Sequence, residues 1–181
     1  MRIIAGRWRG QPLTPLGKGD PGAHLRPTSD RVREALFSMI LARRDLTDLR
    51  VLDLFAGTGA LGLEALSRGA ATATFVDTGR KAQTLLRSNI AKLRADTTVV
   101  LPADAARLPP APDPCDLIFL DPPYGKDLGT RARTSALQQG WIAPDALIVW
   151  EESRPQTAEG FTDLISRRYG DTTITLLEPL Q

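Results

Sequence analysis

VLDLFAGTGALGLEALSRG, residues 51–69, decides the fold. It opens on the apolar run Val51-Leu52-Asp53-Leu54-Phe55, passes through Gly57-Thr58-Gly59, and continues into a helix-forming stretch that stops at Gly69. A strand that gives way to glycines and then to a helix is a βα unit whose tight turn lets a ligand approach the backbone. Gly57 to Gly62 fits G-x-G-x-x-G, and Asp77 ends the next apolar run about 20 residues on, where an acid can hydrogen-bond a ribose. The pattern implies a nucleoside-binding turn.

Downstream, strand and helix signals alternate. TATFVD (72–77) reads as a strand, and Leu85, Leu86, Ile90 and Leu93 form a helical stripe. TTVVL (97–101) is a further strand, followed by a short helical turn near Asp104 and the breaker LPPAPDP (108–114). CDLIFL (115–120), a modest helix over 127–139 and DALIVW (145–150) continue the series. Near-continuous apolar strands separated by helices predict an α/β, Rossmann-like fold with a mostly parallel sheet and helices on both faces. FTDLISRRYGDTTITLLEPL (161–180) departs from this pattern, with two alternating runs around Tyr169-Gly170-Asp171 that predict an antiparallel hairpin.

Upstream, residues 10–29 are rich in glycine and proline and read as loop, while IIAG and QPL around Trp8 predict a short hairpin. Thr28, Ser29 or Asp30 can cap a helix with the apolar stripe Val32, Leu36, Met39 and Ile40. A chain of 181 residues can bury one sizeable core, so a single domain is expected over 1–181, with 1–45 as a basic extension on a 46–181 core.

With 42% hydrophobic and 24% charged residues, the composition is that of a soluble globular protein. No apolar stretch approaches the roughly 20 residues needed to span a bilayer, and MRIIAGRWRG lacks the apolar segment of a secretory signal. A cytoplasmic protein without membrane partners is the expectation. Cys115 stands alone, which excludes an internal disulfide and a multi-cysteine metal site, and its apolar neighbours predict burial. His24 has no cysteine or carboxylate cluster beside it, so no metal is expected. Charge is uneven. The first 33 residues hold seven Arg or Lys against two Asp, a local net charge of +5 in a chain whose total is +2. Such an excess attracts a phosphate backbone or forms a solvated face. Trp8, between Arg7 and Arg9, is placed to stack on a base or to pack the hairpin.

The glycine turn alone would suit a dinucleotide. Asp53, however, stands at the strand end where a pyrophosphate would lie, and like charges in a partly desolvated crevice repel by several kcal/mol at about 4 Å. S-adenosylmethionine (SAM) brings an ammonium and a sulfonium and no phosphate, so the acid favours it. Asp104, in LPADA after the third strand, can accept from an adenine amine, although an acid there can also serve as a helix cap.

FLDPPYG (119–125) brings Asp121-Pro122-Pro123-Tyr124 to the same rim. Two prolines stiffen the turn, so the Asp121 carboxylate and the Pro122 carbonyl can each accept one N–H of an amine conjugated to a nucleobase. That favours the pyramidal nitrogen, whose lone pair then faces a methyl group. Tyr124 offers a flat face for a base turned out of its stack, worth roughly 1 to 3 kcal/mol.

With these residues in view, the chain resembles the SAM-dependent methyltransferases of exocyclic amines, whose [DNS]-P-P-[YFW] signature DPPY matches. Within that group it is similar to the bacterial 16S rRNA (guanine(966)-N(2))-methyltransferase family. RIIAGRWRGQPL, LRPTSDRVREALFSMI (25–40), VLDLFAGTGALGLEALSRGA, the acids at 77 and 104, and DPPY carry the likeness over nearly the full length. The resemblance implies a seven-stranded class I methyltransferase fold, SAM as donor with S-adenosylhomocysteine as product and no metal, and one guanine of 16S rRNA in the small ribosomal subunit or its assembly intermediate as acceptor. A monomer is the expectation. Asp53 and the turn Phe55, Ala56, Gly57, Thr58 and Gly59 would meet the methionine part, Asp77 the ribose, and Asp104 with Ala105 the adenine. Asp121, Pro122, Pro123 and Tyr124 would hold the target amine. Arg26 and Thr28 would close over the SAM carboxylate or the RNA, and Arg7, Trp8, Arg9, Arg31 and Lys126 would face RNA. The family usually carries Glu where this chain has Asp77, which implies a looser grip on the ribose. Residues 126–140 match the family poorly. The same chemistry on DNA adenine or protein glutamine, a non-catalytic nucleotide-binding regulator and a dehydrogenase are the competing readings.

Overall fold

A computed structural model of the chain describes residues 1–15 and 28–180. Seven strands form one sheet: β1 (Arg50–Leu54), β2 (Thr72–Val76), β3 (Thr98–Leu101), β4 (Cys115–Leu120), β5 (Ile142–Glu152), β6 (Phe161–Tyr169) and β7 (Thr172–Pro179), in the order β3-β2-β1-β4-β5-β7-β6. β1 to β5 run parallel, and β7 inserts antiparallel between β5 and β6. The predicted parallel sheet with a terminal hairpin is therefore present. β5 begins three residues earlier than DALIVW suggests, because an irregularity opposite Cys115 to Leu117 lets Ile142 join the ladder.

The chain steps from β1 outward to β3, then returns to place β4 on the other side of β1. That reversal opens a crevice beyond the carboxyl ends of β1 and β4, the position where open α/β sheets bind ligands. Register fixes its walls, with Asp53 paired to Phe75 on one side and Phe119 on the other.

Alternate residues of each strand feed two cores. On one face, Phe75, Phe119, Val149 and Leu176 meet Leu36, Phe37 and Ile40 of α1 (Asp30–Leu41), Leu63 and Leu66 of α2 (Ala60–Ser67), and Leu86 and Leu93 of α3 (Arg80–Leu93). On the other, Leu52, Leu54, Ile118, Leu120, Ile148 and Trp150 meet Ala132 and Ala136 of α4 (Leu128–Gln138). Each large apolar side chain so buried contributes roughly 1.5 to 3 kcal/mol. Ser29 caps α1 by accepting from Val32 N at 3.3 Å. Cys115 is buried, as its apolar neighbours predict.

The amino-terminal hairpin is reduced to one bridge, Arg2 to Pro12, with Ile3 N donating to Gln11 O and Gly10 N to Ile3 O. Further hydrogen bonds tie it to α2. Ile4 N and Ala5 N donate to the Glu64 carboxylate at 2.8 and 3.0 Å, and Arg7 N donates to Ser67 O at 2.8 Å. Gly6 passes so close that a Cβ there would lie 1.8 Å from Ser67 O. Thr14 N then donates to Asn89 Oδ1 at 2.8 Å, while Asn89 Nδ2 donates to Thr58 O at 3.0 Å, which ties the returning segment to the glycine turn. No helix of the described residues is long and apolar enough to cross a membrane.

Candidate functional site

The turn after β1 is built on backbone compromise. Phe55 adopts φ 63°, a left-handed conformation that costs a non-glycine residue roughly 1 to 2 kcal/mol. It is compensated by order around it: Ala56 N donates to Val76 O at 3.0 Å and Gly59 N to Ala56 O at 2.8 Å. Gly59 then starts α2, and Gly62 lets that helix lie against the sheet, since a Cβ there would come 2.4 Å from the Phe75 ring. Thr58 is buried beneath the turn.

Asp53 is 2% exposed, and its Oδ2 accepts from Gly62 N at 2.9 Å. It sits one residue inside β1 and braces the turn from below. Removal from water pushes its carboxyl up to about 8, against the pull of the Gly62 amide and with help from the Asp77 charge. Asp77 reaches into the same turn, its Oδ2 accepting from Gly57 N at 2.9 Å and its Oδ1 from Gly79 N at 2.7 Å. A carboxylate oxygen has a second lone pair, so both atoms keep an acceptor site. Asp104 is exposed and caps a 3-10 turn over Ala105–Arg107, its Oδ1 accepting from Ala106 N at 2.9 Å, while Ala105 is buried beside it. Asp104 thus acts as a cap, the bland reading of the sequence, and remains solvent-facing.

Asp121 follows β4 on the opposite wall. Its carboxyl is raised well above the usual range, first by desolvation, then by the charges of Glu151, Asp53 and Glu152. Asp121 and Asp53 therefore feel each other across the crevice. Pro122 is buried, Pro123 and Tyr124 are half-buried, and the Tyr124 phenol is pushed up by burial and by the neighbouring carboxylates. Among the described residues no Lys or Arg forms an ion pair with Asp53, Asp121 or Glu151. An acid cluster with no paired cation among the described residues is complementary to a ligand that carries positive charge.

Thr28 stands next to this cluster, where its Oγ1 donates to Glu151 Oε2 at 3.1 Å. Arg26 lies outside the described residues, as does His24. Arg31 is exposed on the first turn of α1, three residues after Thr28, and Lys126 is exposed two residues beyond Tyr124. Arg7, Trp8 and Arg9 lie elsewhere. They gather at the carboxyl end of α2, where Trp8 N donates to Ser67 Oγ at 3.0 Å, about one helix length of 12 Å from the glycine turn. Trp8 is half-buried against the core, and the Arg7 guanidinium stacks over it at 3.9 Å. Glu151, Thr172 and Asn89 are not among the residues that the sequence singles out. The near-continuous burial of β5 was the available signal for Glu151, whereas nothing local marks the other two. A separate cleft of about 470 Å³, between the 3-10 turn and α4, is lined by Arg107, Thr130, Arg131 and Gln138 and shares no residue with the glycine turn or Asp121.

The family described as Conserved hypothetical protein 95 matches residues 1–178. The Escherichia coli K12 protein named ribosomal RNA small subunit methyltransferase D is 42% identical over 152 residues, 83% of this chain and 74% of its own length. The Haemophilus influenzae protein of the same name is 33% identical over 186 residues, covering 98% and 93%. Among solved structures, the Escherichia coli protein yhhF superposes with a TM-score of 0.83 at 35% identity, over 99% of this chain and 97% of that one. The strand order, the glycine turn and the match over nearly the whole length place the chain in the Conserved hypothetical protein 95 family, to which it belongs as a class I methyltransferase fold.

Proposed function

We propose that the protein transfers a methyl group from SAM to the exocyclic N2 amine of one guanine of 16S rRNA, in the small ribosomal subunit or an assembly intermediate, and that it works in the cytoplasm as a monomer. The observation that carries this reading is Asp121 at the end of β4, its carboxyl raised by desolvation and by the charges of Glu151 and of Asp53 beneath the glycine turn, at the point where strand order reverses. The activity named for its relatives agrees with it.

SAM supplies an electrophilic methyl on a sulfonium and departs as the neutral thioether of S-adenosylhomocysteine. The residues fit such a cation, because Asp53 and Asp121 both hold protons to higher pH than free carboxyls do, and a positive charge nearby favours their ionised forms. The turn from Phe55 to Gly59 offers backbone to the methionine part, Asp77 the remaining lone pairs of its carboxylate to the ribose, and Asp104 with Ala105 a ledge for the adenine. Once ionised, Asp121 accepts one N–H of the guanine amine, and the Pro122 carbonyl accepts the other. These two acceptors orient the nitrogen lone pair toward the methyl. After transfer the nitrogen carries a positive charge, and its N–H proton passes to Asp121 or to water. Tyr124 carries the base on its ring. Rate acceleration comes from holding the reacting atoms about 3 to 3.5 Å apart and from fixed dipoles.

RNA contact divides into two zones. Arg31 and Lys126 form one, and Arg7 and Arg9, about 12 Å from the glycine turn, meet backbone beyond the target loop. The test uses wild type and Asp121→Ala with labelled SAM and small subunits from cells lacking the enzyme, followed by mapping of the labelled base. Wild type should give one N2-methylguanine and the variant almost none. Equal labelling by both would remove Asp121 from the chemistry. Label in DNA adenine or protein glutamine would move the substrate, and binding of NAD in place of SAM would return the dehydrogenase reading.

A further inference from the structure

Tyr124 is held at both ends. Its backbone follows Pro122-Pro123, and its hydroxyl lies 2.8 Å from Thr172 Oγ1 and donates to Glu151 Oε1 at 3.4 Å. Glu151 follows Trp150, the residue paired with Leu120 at the end of β4, and is 5% exposed. Thr28 Oγ1 donates to both its oxygens, at 3.1 and 3.4 Å. Three segments thus meet at one phenol, the turn after β4, the end of β5 and the start of β7, and a fourth, the residue before the α1 cap, reaches it through Glu151. The sheet does not need this carboxyl, since β5 pairs with β4 and β7 through its backbone. Burying an acid beside Asp121 costs free energy that an apolar side chain would spare.

We propose that Glu151 is a positioning residue that, with Thr28 and Thr172, locks the Tyr124 ring as a fixed platform for the target base. The inference rests on the methyl-transfer reading of the site. A base stacked on a ring clamped at its hydroxyl has its distance and tilt to Asp121 fixed, and a displacement of about 1 Å in such an alignment costs about 100-fold in rate. The clamp also makes the amino-terminal extension part of the reaction centre, because Thr28 acts on the target through Glu151 and Tyr124.

The test compares Glu151→Ala with Glu151→Gln, whose amide oxygen still accepts a hydrogen bond but carries no charge. The alanine variant should lose about tenfold or more in kcat while SAM affinity by calorimetry stays within about twofold, and the glutamine variant should stay within about threefold of wild type. Tyr124→Phe placed on Glu151→Ala should add nothing further, as expected for residues acting as one unit. A readout independent of turnover comes from 3-fluorotyrosine in a Tyr169→Phe background, which leaves Tyr124 as the single labelled ring of the two tyrosines. Its ¹⁹F line should be broad in the otherwise unchanged protein and narrow in Glu151→Ala. Should that variant fail to fold, Thr28→Val and Thr172→Val keep the carboxyl and should narrow the line partially. Equal loss in the alanine and glutamine variants, multiplicative loss with Tyr124→Phe, or an unchanged Tyr124 line would each overturn the proposal. A narrowed line in a protein that methylates no small-subunit RNA would instead retire the methylation reading and leave the clamp standing.

Discussion

Glu64 and Glu151 are both glutamates shut away from water, 0% and 5% exposed, and their surroundings are opposites. Glu64 accepts from Ile4 N, Ala5 N and Arg68 Nε, the last at 2.8 Å, with Arg33 Nη1 3.9 Å away. Its charge is answered inside the chain. Among the described residues Glu151 accepts from the hydroxyls of Thr28, Tyr124 and Thr172, and its neighbour Asp121 is another acid. The first arrangement welds the amino-terminal segment to α2, while the second holds an acid that has no paired cation among the described residues. A buried carboxylate paired within the fold serves structure; one crowded by other acids points to a role beyond stability.

The largest effect should come from breaking the answered site. Glu64→Ala leaves Arg33 and Arg68 without their shared acid, and a loss of about 3–5 kcal/mol in urea unfolding is expected. The unanswered site should behave in the reverse way. Asp121→Asn should cut methyl transfer about 100-fold or more while stability at pH 8 holds or rises, because a neutral amide no longer has to be desolvated as a charge.

A smaller effect follows from proton linkage. Asp53 titrates near 8 in the folded chain against about 4 when unfolded, and Asp121 and Glu151 are displaced in the same direction. Between those values the folded state holds the more protons, so ligand-free stability should be greatest near pH 4 to 5 and fall as pH rises to 8. Calorimetric Tm should drop by a few degrees over that window, and Asp53→Asn should flatten the slope. A Tm that climbs with pH instead would contradict an acid cluster with no paired cation among the described residues. The smallest effect sharpens the comparison by ligand charge. SAM and S-adenosylhomocysteine share every group except the sulfonium, so the ratio of their affinities should shift toward SAM by a few-fold from pH 6 to 8.5 as the carboxyls ionise.

The order of elements was legible because it rests on period and punctuation. Gly69, the 108–114 breaker and Tyr169-Gly170-Asp171 marked boundaries that the fold keeps, and CDLIFL is a strand over the residues expected. The glycine turn, its acids and the Asp-Pro-Pro-Tyr turn were legible for the same reason, as local chemistry at strand ends. What stayed hidden depends on contacts far apart in sequence. No window of residues shows that Trp8 would be drawn to Ser67 and away from the rim, or that Asn89 would carry both Thr14 and Thr58. Asp53 was legible as an acid at the turn but not as a brace under Gly62, since that requires knowing how closely α2 lies on β1.

β7 sits between β5 and β6, so the inner partner of β5 is made after the strand that ends up at the edge. During synthesis at roughly 5–20 residues per second, the Leu-Ile-Val-Trp run of β5 would wait about one to five seconds with a bare hydrogen-bonding flank until residue 179 has emerged. That interval is when a neighbouring nascent chain could add itself to the sheet. Anything that stalls translation after Glu152 should therefore favour aggregation over slow folding.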